Sequence, residues 1–232
     1  MDSLSQLQRR VAACSLCPRL VAHRERVAQE KVKRYRDWNY WGKPVPSFGD
    51  PQARLLIIGL APAAHGGNRT GRVFTGDRSG DWLYGALYKT GFANQPTSTH
   101  KDDGLQLLDC YITAAVHCAP PDNKPLPEEF IACRPYVLQE LVLLKQVRVV
   151  LALGQIAFSA YLTARKELHL PVPSPLPRFG HGSLHAFAQV TLIGSYHPSQ
   201  QNTFTGRLTK EMFHAVFLHA RKVIDGDGKR ET

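Results

Sequence analysis

The sequence predicts a three-layer α/β/α domain around a central, mainly parallel sheet of four strands. Three observations carry that reading. Short β-rich runs at 54–59, 110–116, 147–153 and 189–195 have the apolar character of strands buried on both faces. Helical patterns separate them, as the crossovers between parallel strands require. The length of 232 residues suits one substantial core and is short for two comfortable enzyme domains. Residues 1–224 are therefore expected to form a single domain, with 225–232 as a flexible tail.

Each element has its own signal. Ser3 or Ser5 can cap a first helix with Leu4, Leu7 and Val11 at helical spacing. After Cys14-Ser-Leu-Cys17, residues 18–33 read as a second, strongly charged helix, and 35–50 as a connector rich in Trp, Tyr, Pro and Gly. Ser79 or Asp81 opens a helix running through Leu87. Pro127-Glu-Glu starts one that reaches Leu144, residues 155–168 supply another, and a last runs from Thr209 to Val223. The segment 171–182, with proline at 171, 173, 175 and 177, is a stiff loop.

Lys and Arg number 29 against 19 Asp and Glu, a formal charge of +10. That surplus raises encounter rates with polyanions and favours a nucleic-acid partner; the competing reading is a basic protein kept soluble by repulsion. No stretch approaches the ~18 apolar residues of a membrane span. The opening MDSLSQLQRR lacks the apolar core of a signal peptide, so an intracellular protein is expected.

In that setting clustered thiols more often bind metal than form disulfides. Cys14 and Cys17 make a C-x2-C knuckle whose turn lets two thiolates face one metal. Cys118 follows a strand and Cys133 lies within the next helix, so the two can meet across the junction and complete a four-thiolate site. Zinc and a [4Fe-4S] cluster both accept four thiolates, and spacing does not choose between them. Cys110 begins a buried strand and reads as core.

Ligands of open α/β sheets sit beyond the carboxyl ends of the strands. Three segments qualify: Gly59–Asp77, His117–Pro127, and GSYHPSQQNTFTGRLT at 194–209. The first opens with GLAPAA, which carries no acid, base or nucleophile. "GGNRTGR" lacks the lysine and hydroxyl residue of a Walker A loop, and neither a G-x-G-x-x-G after Ile58 nor a G-x-S-x-G elbow is present. Nucleotide hydrolysis, hydride transfer and serine-nucleophile chemistry lose their support.

Gly59-Leu-Ala-Pro-Ala63, Phe74 with Thr75-Gly-Asp77, CAPPDNKPLP at 118–127 and HPSQQN at 197–202 resemble the uracil-DNA glycosylase superfamily. The chain is similar to family 5, or type B, and also to family 4, which has glutamate where this chain has Leu60. The resemblance covers residues 1–223 and implies removal of a deaminated base by N-glycosidic cleavage, leaving an abasic site. It implies that Cys14, Cys17, Cys118 and Cys133 hold a structural [4Fe-4S] cluster, with zinc as the alternative. The implied partner is DNA containing uracil, hypoxanthine or xanthine, met by a monomer in the cytoplasm at the nucleoid. No membrane is implied.

The resemblance also assigns roles. The base would enter a pocket formed by Gly59, Leu60, Ala61 and Ala63, and stack on Phe74. His197 would donate to the base oxygen on which negative charge grows. Asp77 is the carboxylate offered to water or to the sugar cation, its competing reading being a helix cap. Asn123 would read the base or hold a turn; Ala114 replaces the asparagine with which family 4 reads uracil. Arg69, Arg72, Arg78 and Arg207 are candidate phosphate contacts. Ser199, Gln200, Gln201 and Asn202 lie where the superfamily wedges into DNA. The rings of KRYRDWNYWGK at 33–43 are expected to pack internally. A non-catalytic DNA binder of the same fold and a zinc-stabilised nucleotide hydrolase are the other function classes.

Overall fold

The computed structural model describes residues 3–226. In chain order the elements are α1 (Leu4–Ala12), α2 (Pro18–Glu30), β1 (Phe48–Gly49), β2 (Leu55–Gly59), α3 (Gly67–Thr70), α4 (Arg78–Lys89) and β3 (Cys110–Ala114). They continue with α5 (Pro127–Leu143), β4 (Val149–Leu153), α6 (Gln155–Glu167), β5 (Leu184–Ala186), β6 (Thr191–Ser195), α7 (Gln200–Phe204) and α8 (Lys210–Gly226).

The strand order is β1-β3-β2-β4-β6-β5, a sheet of six strands. β3, β2, β4 and β6 run parallel, and the two edges pair antiparallel. The expected four strands are the parallel centre, and the strand count is corrected to six. β1 and β5 have only 2 and 3 residues and neither is buried, so they leave no apolar run to read.

Successive strand residues face opposite layers. Leu55, Ile57, Leu151 and Ile193 join Leu83, Tyr84 and Leu87 of α4 and Phe213, Val216 and Phe217 of α8 in one core. Leu56, Ile58, Val150, Ala152 and Leu192 join Ala157, Phe158, Tyr161 and Leu162 of α6 in the other. α1 is held by a capping box in which Ser3 and Gln6 satisfy each other's backbone N–H. The second helix stops at Glu30, short of the expected residue 33, because Lys31 turns to a φ of 52°. α8 runs to Gly226, so the first two residues assigned to a tail are helical; 227–232 lie outside the described residues. Among the described residues no helix is long and apolar enough to cross a membrane.

From β2 the chain steps to β3 on one side, then returns to β4 on the other. Such a reversal opens a crevice beyond the strand ends, into which the loops after β2, β3 and β6 emerge.

Candidate active site

A cleft of about 560 Å3 occupies that crevice. Leu60, Ala61 and Ala63 line it from the first loop, Phe74, Asp77, Arg78 and Ser79 from the approach to α4, and Asn123 from the loop after β3. His197, Ser199, Gln200 and Gln201 close it from the loop after β6. The volume lies in the range of small-molecule sites. A smaller cavity of about 180 Å3 between α5 and α6, lined by Ala115, Phe130 and Ile156, is apolar and holds none of the proposed reactive groups.

The first loop acts through its backbone. The carbonyls of Gly59 and Leu60 accept from Ala115 and Val116 at 2.9 Å each, fixing the loop to the end of β3. Phe74 then covers Gly59: a Cβ there would stand 2.8 Å from Phe74 Cζ. Phe74 has a φ of 52°, a left-handed conformation that costs a non-glycine residue on the order of 1–2 kcal/mol. Its flanks hold it there. Tyr84 Oη donates to the Val73 carbonyl at 2.8 Å, and Thr70 Oγ1 donates to the Thr75 carbonyl at 3.2 Å. The ring lies 5.8 Å from that of His197 with the planes inclined by 31°.

Asp77 is at once the N-cap of α4 and part of the cleft. Its Oδ1 accepts from the Gly80 N–H at 2.9 Å, while Oδ2 stands against Gly66, where a Cβ would overlap it. Burial raises the carboxyl above its ordinary pKa, opposed by the bond from Gly80. The helix-cap reading therefore holds, and the same side chain also lines the cleft. Neither Ser79 nor Asp81 caps the helix. Ser79 instead donates through Oγ to the Pro198 carbonyl at 3.0 Å, tying α4 to the His197 loop.

His197 follows β6, and Asn202 Nδ2 donates to its carbonyl at 2.9 Å. Burial lowers its imidazole to a pKa of about 4, so the ring is neutral near pH 7 and keeps one N–H to donate. Gly154, the N-cap of α6 just after β4, comes within van der Waals reach: a Cβ on it would lie 3.7 Å from His197 Cβ.

Two expected phosphate contacts are corrected. Arg69 is 3% exposed; its guanidinium lies 3.8 and 4.1 Å from the ring centres of Tyr35 and Trp38 and donates to the carbonyls of His65 and Gly76. Arg72 is 5% exposed and bonds Asp103 at 2.7 Å and Ser98 at 2.9 Å. Both brace the loop from inside. The rings of 33–43 pack as expected, with Tyr40 bonded to His65 and Trp41 to the Pro44 carbonyl. Asn202 is engaged on the His197 carbonyl, and Ser199 caps α7 by accepting from the Asn202 N–H. Gln200, Gln201, Arg78, Arg207 and Asn123 remain exposed. Asn123 sits in a turn with a φ of 56° while lining the cleft, so its turn-holding and base-reading roles are compatible. Sequence reasoning passed over Phe204, 65% exposed beside Arg78, whose guanidinium lies 4.4 Å from its ring centre. Its signal was an aromatic side chain in an otherwise polar short helix.

Cys14, Cys17, Cys118 and Cys133 surround one small cavity with Leu20, Arg24 and Tyr136. Burial raises the Cys118 thiol to about 11 and raises Cys17 and Cys133 as well, so these groups need a bound cation to ionise. Two donors already point at sulfur: Arg24 Nη1 at 3.0 Å from Cys118 Sγ, and the His117 N–H at 3.3 Å from Cys133 Sγ. Among the described residues no three His, Cys, Asp or Glu side chains are arranged to hold a single metal ion. The donor set fits a four-thiolate group. Ala61 of the first loop packs against this nest, which therefore buttresses the cleft. Cys110 is fully buried in β3 and belongs to the core.

The family model described as uracil DNA glycosylase superfamily matches residues 46–221. The chain is 49% identical over 225 residues to the Type-5 uracil-DNA glycosylase of Mycobacterium leprae, covering 95% of this chain and 96% of that protein. It is 50% identical over 214 residues to the Type-5 uracil-DNA glycosylase of Thermus thermophilus, covering 92% and 94%. Similarity to the Type-4 uracil-DNA glycosylase of Pyrobaculum aerophilum is lower, at 28% over 197 residues, or 84% of this chain and 83% of that one.

Proposed function

The chain belongs to the uracil-DNA glycosylase superfamily, and we propose that it hydrolyses the N-glycosidic bond of uracil in DNA, as its Type-5 relatives are named for doing. The supporting observation is the convergence of Phe74, Asp77 and His197 on one cleft whose first loop offers only backbone and apolar side chains. In this reading a base leaves the duplex and stacks on Phe74. The neutral His197 donates its N–H to the base oxygen as the bond breaks, and the Asp77 carboxylate faces the sugar cation and the incoming water. Leu60 and Ala61 give the first loop no acid to activate water, so bond cleavage runs ahead of water attack.

On the first-loop side the cleft presents only Leu60, Ala61 and Ala63, so that wall has no polar side chain for a purine to leave unpaired. We extend the substrates to hypoxanthine and xanthine on that ground. The chain is taken to act as a monomer on the cell's DNA. Gln200, Gln201 and Arg78 line the cleft at exposed positions, and with the exposed Arg207, which stacks on Tyr196, they are the DNA contacts of this proposal. Cys14, Cys17, Cys118 and Cys133 would hold a [4Fe-4S] cluster, which when bound supplies cross-linking of α2 to the sheet and no step of hydrolysis.

A duplex carrying a single uracil, incubated with the protein and then hot alkali, should be nicked at that position. Intact uracil, hypoxanthine and xanthine duplexes under enzyme excess would overturn the activity and favour a non-catalytic binder. Asp77→Asn retains a capping side chain and removes the charge. It should slow base release at least tenfold with little change in melting temperature. Asp77→Ala should lose the cap too, about 1 kcal/mol of stability. Equal rates for wild type and Asp77→Asn would reduce Asp77 to a cap.

A further inference from the structure

We propose that Arg24 is the countercharge of the four-cysteine site, holding its metal group by offsetting the negative charge of the thiolates. The inference rests on the four-thiolate reading above. Four thiolates around zinc or a [4Fe-4S] core in its 2+ state keep a net negative charge, and burying charge without a partner is costly. The protein has to supply a cation near the sulfurs.

Arg24 is the one Lys or Arg in the lining of that cavity among the described residues. It lies on α2 beyond Cys17, the N-cap of the same helix, and is 5% exposed. Its Nη1 donates to Cys118 Sγ at 3.0 Å and lies 3.4 Å from the Cys14 carbonyl, spanning the two halves of the site. Nε is buried and has no acceptor. An anionic group in the cavity is what that N–H lacks. The carboxylates nearby do not explain the residue. Glu25 is 3.7 Å from Nη2 but half exposed, and Glu129 is engaged by Arg19 through two bonds of 2.8 Å. The backbone is anchored independently, since the buried Asn68 of α3 donates through Nδ2 to the Arg24 carbonyl at 3.1 Å. Side-chain charge and main-chain support can therefore be removed separately.

A charge-assisted donor on a ligating sulfur also favours the more negative oxidation state of a cluster. Arg24→Gln keeps a polar side chain without the charge; Arg24→Lys keeps the charge; Asn68→Ala loosens the backbone alone. The holo proteins are compared by metal content, rate of iron release to a ferrous chelator, and midpoint reduction potential. Arg24→Gln should release iron at least tenfold faster and show a lower potential, while Arg24→Lys stays within about threefold of wild type and Asn68→Ala keeps the wild-type potential. Matching release rates and potentials in wild type and Arg24→Gln would overturn the proposal, as would Asn68→Ala reproducing the Arg24→Gln potential. Should Arg24→Gln fail to fold, Arg24→Lys decides: loss of iron at full helix content overturns, retention supports. A colourless wild type containing zinc would overturn only the iron–sulfur reading, and zinc release then tests Arg24 by the same ratio. A wild type without any metal would overturn both.

Discussion

Replacing His197 by alanine should slow base release under single-turnover conditions by on the order of 10²–10³-fold, the usual loss when a donor to a developing oxyanion is removed. DNA affinity should change far less, because the ring acts at the reacting bond rather than on phosphate. The side chain is held neutral by burial, with a pKa of about 4. Between pH 5 and 8 its charge does not change, so the rate should show no inflection near the ordinary histidine value. A titration near 6.5 that disappears in the variant would contradict a desolvated neutral donor.

The same depressed pKa carries a stability consequence. As pH falls, the unfolded chain takes up a proton near 6.5, whereas the folded chain does so only near 4. Protons then favour the unfolded state, and stability declines as pH falls through that window. The loss of melting temperature between pH 7 and pH 5 should be smaller in His197→Ala than in wild type. A loss of equal size in both would show that other groups govern the acid limb.

Gly80→Ala should be among the most damaging single-methyl changes in the chain, on the order of 3 kcal/mol. A Cβ at this position would overlap the carbonyl oxygen of Phe74, and its next neighbours are also backbone, so no side chain can move aside. The first turn of α4 would be driven from the strained Phe74, and the Gly80 N–H would lose Asp77. Gly85, one turn further along α4, meets nothing within 4 Å. Gly85→Ala should therefore stabilise by about 0.5–1 kcal/mol through helix propensity alone. Thermal melts of the two variants give opposite signs on this account. A shared sign would mean that the Phe74 turn is not held by the close approach of α4.

Parts of this architecture were legible because they depend on local pattern. The four central strands are short β-rich runs buried along almost their whole length, the pattern expected of strands covered on both faces. β1 and β5 were not legible, being set by what the neighbouring edge offers. α3 and α7 were likewise too short to carry a period. The GLAPAA loop shows the limit most clearly. Its sequence displays only what it lacks, and its packing emerges when Phe74 lies over Gly59 and Asp77 stands against Gly66. Arginine was the residue type most often misread. A guanidinium on a glycine-rich loop looks like a phosphate contact, yet Arg69 is enclosed by two rings and Arg72 by Asp103, partners distant or unremarkable in sequence.

By itself the sequence determined the four central strands, the helices that separate them, the family motifs and the four thiols, since these follow from local pattern. Only the tertiary structure decided which charges face outward, that Asp77 caps and lines the cleft at once, and that Arg24 stands beside Cys118. Those outcomes depend on contacts between segments far apart in the chain, and no local pattern encodes which buried group a side chain will meet.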